Sequence, residues 1–194
     1  MKLRNEFDVG VPIGQTWATL LDVPRVARAL PGATIDPDAE GGAWRGTMRI
    51  KLGPVTTEYL GSARVQDVDE DDRVAGYRVE GREARGQGSA AATITTRLTE
   101  QDGGTRVVVE TDLQVTGRQA QLGRGLMEDV AGTILGEFAG RLERELRGEA
   151  PEASESGEAL DVSAAMRGPL LERAGLMLAG LLAGLAVGRA VWRR

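Results

Sequence analysis

Residues 117–147 read GRQAQLGRGLMEDVAGTILGEFAGRLERELR, and this stretch decides the fold. Leu122, Leu126, Val130, Ile134, Phe138 and Leu142 recur every four residues, and Met127, Ala131 and Leu135 widen the stripe. That period is the mark of a helix with one buried face. Arg124, Glu128, Glu137, Arg141, Arg144 and Glu145 occupy the opposite face. A helix of about 28 residues is expected here, about 42 Å long at a rise of about 1.5 Å per residue. Its apolar stripe needs a sheet to cover it.

The preceding residues supply that sheet. Leu3, Asn5, Phe7 and Val9 alternate with Arg4, Glu6 and Asp8, which predicts a half-buried first strand ended by Pro12 and Gly14. Trp17, Leu20 and Leu21, then Val23, Val26 and Leu30, suit two short helices. Pro24 starts the second and Pro31-Gly32 closes it. From Ala33 to Thr116 the period is two. Turns are expected at Gly53-Pro54, at the acidic run 67–72 and at 101–104. The order is strand, two short helices, six strands, long helix. This predicts an α+β domain, a curved antiparallel sheet of about seven strands around a C-terminal helix.

Composition narrows the chemistry. The 194 residues contain neither cysteine nor histidine. Disulfides, cysteine nucleophiles, histidine triads and His/Cys zinc sites are excluded. Acid–base work falls to Asp, Glu, Lys or Tyr, which counts against an enzyme. The net charge of -5 is uneven. Residues 1–147 carry 19 basic and 23 acidic groups, 148–161 carry five acids and no base, and 162–194 carry five arginines and one glutamate. We expect a globular domain at 1–147, a flexible acidic linker at 148–165 and an apolar tail helix at 166–194. Acids alternate with the domain's basic groups, so no nucleic-acid partner is expected.

The interior gives the first functional clue. Gly61, Ala63, Gly81, Gly86, Gly88, Ala90 and Ala92 are small where inward side chains are expected. Small residues there either let the helix approach closely or leave a cavity. The polar handles are Asn5, Thr57, Tyr59, Tyr77, Thr96 and Thr111, and no inward carboxylate pair appears. A dry pocket with a few hydroxyls suits an apolar ligand bearing carbonyl or hydroxyl groups.

Four motifs add a resemblance. Leu30-Pro31-Gly32-Ala33 follows the second helix, Leu52-Gly53-Pro54-Val55 forms a hairpin and Gly61-Ser62-Ala63 lies within a strand. Gly117-Arg118-Gln119-Ala120-Gln121-Leu122-Gly123 opens the long helix, where Gly117 and Gly123 permit a tight turn and close helix–sheet approach. With the element order, these make residues 1–147 resemble the START-like SRPBCC helix-grip superfamily, and within it the carbon monoxide dehydrogenase CoxG family. The resemblance implies a non-catalytic accessory protein of a molybdenum-containing carbon monoxide dehydrogenase. It would bind a respiratory quinone such as menaquinone in the helix-grip cavity and hold the enzyme's subunits at the cytoplasmic face of the cell membrane. Trp44, Tyr59 and Tyr77 are then candidates for the quinone head, and Met48, Ile50, Leu113, Leu126, Met127, Val130 and Ile134 for an apolar channel. All of these also suit ordinary core. The fold equally hosts cyclase or aromatase enzymes, and a ligand-free anchor is the third reading.

The tail is read from residues alone. Residues 174–188 are uncharged and mostly Leu, Ala and Gly. Fifteen such residues cover about 22 Å, and nineteen, to Trp192, about 28 Å, against a hydrocarbon core of about 30 Å. Gly180, Gly184 and Gly188 have the spacing that lets apolar helices pair, so a homo-oligomer through the tail is one expectation. Trp192, Arg193 and Arg194 suit an interfacial anchor. This length and these flanks suit either a spanning or an interfacial helix.

Overall fold

The structure is a computed structural model that describes residues 1–52, 55–86, 88–121, 123–149 and 159–162. The chain runs β1 (Lys2–Val9), α1 (Ile13–Leu21), α2 (Val23–Ala29), β2 (Ala33–Glu40), β3 (Ala43–Leu52), β4 (Val55–Asp69), β5 (Val74–Glu83), β6 (Ser89–Gln101), β7 (Gly104–Val115), α3 (Arg124–Leu146) and β8 (Leu160–Asp161). The strands lie in the order β1-β7-β6-β5-β4-β3-β2, all antiparallel, and β8 adds to β3 in parallel. The sheet curls around α3, the helix-grip arrangement expected from the alternation and the terminal amphipathic stripe.

Local chemistry sets each boundary. The Asp22 carboxylate accepts from the Arg25 backbone N–H at 3.1 Å and caps α2, with Pro24 in its first turn. Gly32 takes φ +77°, and a Cβ there would collide with the Arg49 carbonyl, so α2 can pass directly against β3 only through glycine. Asp102 and Gly103 both have positive φ, which suits the tight β6–β7 hairpin. In β2, Pro37 sits where the register with β3 shifts between Ile35 and Ala39.

The long helix starts later than the stripe suggests. Gly117 leaves β7 at φ +81°, and Arg118–Gln121 form a 3-10 turn before α3 begins. α3 therefore has 23 residues, about 35 Å, rather than about 28 residues and 42 Å. Gly148 at φ +73° follows its last turn. Gly123 has φ -58° and open space around it, so close helix–sheet approach is not what glycine supplies there.

One end of the interior is tightly packed. Val9, Trp17, Leu20, Ala75, Leu98 and Val107 form a cluster with Phe138 and Leu142 of α3. Phe7 meets Phe138 edge to face at 5.9 Å between centroids. At the other end Val130 packs with Leu160 and Val162, flanked by Ile50, Leu126 and Ile134. Leu160 and Val162 are 3% and 0% exposed, and the Val162 N–H donates to the Lys51 carbonyl at 3.0 Å. β8 thus lies inside the span expected to be a flexible linker; its apolar residues two apart are a strand pattern hidden among acids. The tail at 166–194, with Gly180, Gly184, Gly188, Trp192, Arg193 and Arg194, lies outside the described residues. Among those described, no helix is long and apolar enough to cross a membrane.

Candidate functional site between the helix and the sheet

The inner face of the sheet changes character along its strands. Near α1 and the C-terminal half of α3 it is closed by buried Ala75, Thr96, Leu98, Val107 and Val109. Toward the start of α3 the side chains become small and half-buried. Strand register aligns Trp44, Ala63, Val79, Ala92 and Leu113 in one row across β3–β7. The next row is Gly46, Gly61, Gly81, Ala90 and Val115. Large residues stand at the ends of the first row, and Ala63 and Gly81 lie between the walls. At about 4.8 Å per strand, Trp44 and Leu113 are about 19 Å apart along it. This is a trough, with an apolar floor and apolar walls.

The small residues have different causes. A Cβ on Gly61 would collide with the Glu80 carbonyl, and one on Gly88 with the Thr116 carbonyl, so those glycines serve close backbone approach. Gly86 sits in the exposed β5–β6 turn at φ +75°, not on the inner face. At Gly81 the nearest atom would be the Tyr59 Cβ at 3.4 Å, an ordinary contact. The close approach at Gly61 and Gly88 is to neighbouring strand and turn backbone rather than to α3, and at Gly81 a Cβ would be in ordinary contact rather than in open space.

The structure distributes the candidate residues over two places. Met48 and Tyr59 are register partners, as are Ile50 and Thr57, at the end of the trough nearest β8. Leu126, Met127, Val130 and Ile134 lie on the N-terminal half of α3, and all but buried Val130 are half-buried. Ile50, Leu126, Val130 and Ile134 meet in the cluster closed by β8. Trp44 and Leu113 are half-buried at the two ends of the row. Tyr77 is elsewhere: it packs against the closed core, and its hydroxyl donates to the Leu20 carbonyl at 2.9 Å. That bond fixes the end of α1 and leaves Tyr77 committed to the core. Thr96 is likewise committed, donating to the Ala75 carbonyl at 3.3 Å.

Sequence reading missed Glu83. It is 8% exposed and faces inward as the register partner of Tyr59. The alternation Tyr77, Val79, Gly81 continues in phase to Glu83, and that phase was the available signal. Burial, and secondarily the Glu83 charge, push the Tyr59 phenol above its ordinary range. Tyr59 stays a hydroxyl donor at neutral pH. The Tyr77 phenol is raised by burial, against a lowering by Thr96. The β8 end of the trough therefore carries the Tyr59 hydroxyl donor, the buried Glu83 carboxyl group and the buried Thr57 hydroxyl amid apolar side chains. Such a set orients an apolar molecule through one carbonyl or hydroxyl group.

Comparison with known proteins gives a family and a fold. The family model for CoxG of carbon monoxide dehydrogenase matches residues 6–147. No protein of curated function matches the chain in sequence. A conserved protein from Geobacillus kaustophilus superposes with a TM-score of 0.67 at 17% identity, covering 76% of this chain and 96% of its own. A Thermus thermophilus protein gives 0.56 at 15%, covering 78% and 100%. A Mycobacterium smegmatis protein gives 0.54 at 19%, covering 77% and 92%. Identities this low establish the shared fold alone.

Proposed function

This chain belongs to the carbon monoxide dehydrogenase CoxG family, and from that premise we propose that it is a non-catalytic accessory protein of a molybdenum-containing carbon monoxide dehydrogenase. It holds a respiratory quinone such as menaquinone between α3 and the sheet. Its tail keeps the pair at the cytoplasmic face of the membrane, so that electrons from the enzyme reach the quinone pool. The observation that carries the reading is the trough of small residues between Trp44 and Leu113, which extends toward Tyr59 and Glu83.

The residues fit a quinone. Tyr59 donates its hydroxyl proton to a ring carbonyl. Glu83 accepts from a ring hydroxyl when the ligand is reduced. Met48, Leu126 and Met127 flank an isoprenoid chain, and thioethers adapt to its irregular shape. The bound quinone supplies the electron-accepting ring.

The test is mass spectrometry of solvent extracts from the full chain purified from a menaquinone-producing host. A chain ending at Val162, which keeps β8, is measured beside it. Quinone in both supports a site in the domain. Quinone with the full chain only shifts the weight to lipid carried by the tail. Quinone in neither, with no binding of added menaquinone, refutes the carrier reading.

Glu83 favours a second reading, a cyclase-type enzyme that uses Glu83 and Tyr59 as its acid–base pair. Turnover of an aromatic polyketide-like substrate, abolished in Glu83→Gln, would establish it.

A further inference from the structure

β8 occupies a place that the helix–sheet site does not account for. β2 pairs along the flank of β3 from Glu40 back to Ala33, the register partner of Met48. Gly32 continues that flank, its carbonyl accepting from the Arg49 N–H at 2.8 Å. β8 then takes over, pairing Leu160 with Ile50 and Asp161 with Lys51 in parallel. Gly32 also makes room for it, since a Cβ there would lie 3.2 Å from the Leu160 nitrogen. Leu160 and Val162 pack with Val130 of α3, flanked by Ile50, Leu126 and Ile134. β8 therefore seals a seam between the edge of β3 and the N-terminal half of α3. The polar groups of the trough stand just behind the seam, because Thr57 pairs with Ile50 and Tyr59 with Met48.

The seal is short. Its ladder with β3 has two residue pairs, extended by the Val162 N–H to the Lys51 carbonyl at 3.0 Å. Outside, the Lys51 ammonium meets the Asp161 carboxylate at 2.8 Å, with both side chains reaching solvent. The other walls of the trough are long antiparallel ladders from β3 to β7. Opening any of those breaks up the sheet, whereas lifting β8 leaves it whole. Segments of this kind open locally, well below the free energy of global unfolding.

We propose that β8 is the gate of the trough. It lifts off β3 to admit an apolar ligand through the seam between β3 and α3, then settles back over it. The proposal rests on the quinone-carrier reading above. Lifting Leu160 and Val162 bares Ile50, Leu126, Val130 and Ile134, an apolar path that leads to Tyr59. The residues that β8 covers are thus four of those expected to meet the ligand's chain.

The test is a reversible latch. The chain contains no cysteine, so Lys51→Cys/Asp161→Cys introduces a single pair. Register partners on neighbouring strands have the Cα spacing that a disulfide spans. Uptake of menaquinone by the full-length variant is followed by stopped-flow quenching of tryptophan fluorescence, once oxidised and once reduced with its thiols capped. The tail is identical in both samples, so any quinone it carries cancels. The oxidised form should take up menaquinone at least about 10-fold more slowly than the reduced form. The reduced form should match the unaltered chain within about twofold. Leu160→Ala, which loosens the gate without a latch, should speed uptake about threefold. Equal rates in the oxidised and reduced forms overturn the gate and leave the carrier reading intact. An unchanged rate in Leu160→Ala overturns it equally, as does a cysteine pair that fails to close on oxidation. No uptake by the unaltered chain refutes the carrier reading, and the gate falls with it.

Discussion

Replacing Leu160 by alanine should release β8 while leaving the domain folded. The balance is worked from the contacts of four residues, 159–162. Burying Leu160 and Val162 contributes about 4 kcal/mol together. The Val162 N–H to Lys51 carbonyl bond adds about 1 kcal/mol. The Lys51–Asp161 pair at 2.8 Å has both side chains 45% exposed and adds at most about 1 kcal/mol. Ordering four residues costs about 6 kcal/mol. The two sides nearly cancel, so the strap is held by a thin margin. A leucine-to-alanine change in a packed site removes about 2–3 kcal/mol. That exceeds the margin, and the strap detaches before the domain pays the full cost. Hydrogen exchange followed by mass spectrometry should show the Val162 amide lose protection, with that of Leu98 and Val107 unchanged. The unfolding temperature should fall by less than about 3 °C. A fall above about 10 °C, or retained protection at Val162, would refute the reasoning by showing that β8 is part of the cooperative core.

Other substitutions separate causes that look alike in sequence. Gly32→Ala should cost at least about 2 kcal/mol in urea unfolding, because φ +77° and the Arg49 carbonyl both forbid the methyl. Gly132→Ala, on the exposed side of α3 with nothing nearby, should gain about 0.5–1 kcal/mol. Tyr77→Phe should lower stability by about 1 kcal/mol by orphaning the Leu20 carbonyl, with quinone content unchanged. Tyr59→Phe should do the reverse, weakening menaquinone binding about 10-fold with little change in stability, as read by ligand titration and thermal unfolding. The chain has two tyrosines, and both phenols are raised above 10.0 in the folded state. Their stabilisation is therefore complete below pH about 10 and is lost as pH rises through the folded values. An ultraviolet titration should show both ionising later than free tyrosine, followed by alkaline unfolding.

Element order was legible because it depends on local periodicity. Every strand from β1 to β7 and both short helices follow from alternation, Pro24 and Pro31-Gly32. The start of α3 was not, because Arg118–Gln121 continue the helical pattern while Gly117 imposes a turn geometry that ends in a 3-10 coil. β8 escaped because two apolar residues give too little period to read, and their partner Ile50 is 110 residues away. The candidate site was legible as a set of inward positions. Its division was not: nothing local tells that Tyr77 is committed to Leu20 while Tyr59 faces Glu83. Pairings between strands are long-range facts, and they decide which of the candidate residues stand together.

Pro37 and the register shift in β2 have a consequence for how this molecule can associate. β2 is the outermost strand on its side, and an outermost strand offers unpaired N–H and C=O groups to any other chain. Proline removes a donor, the bulge twists the backbone away, and exposed Asp36, Asp38 and Glu40 repel a second copy. Where β2 stops, β8 takes over the flank of β3. Sheet extension through β2 is therefore blocked, both between copies and by a partner's strand. Concentrating the protein should not drive strand-paired aggregation there, and anything that meets the molecule on that flank has to do so through side chains rather than through backbone pairing.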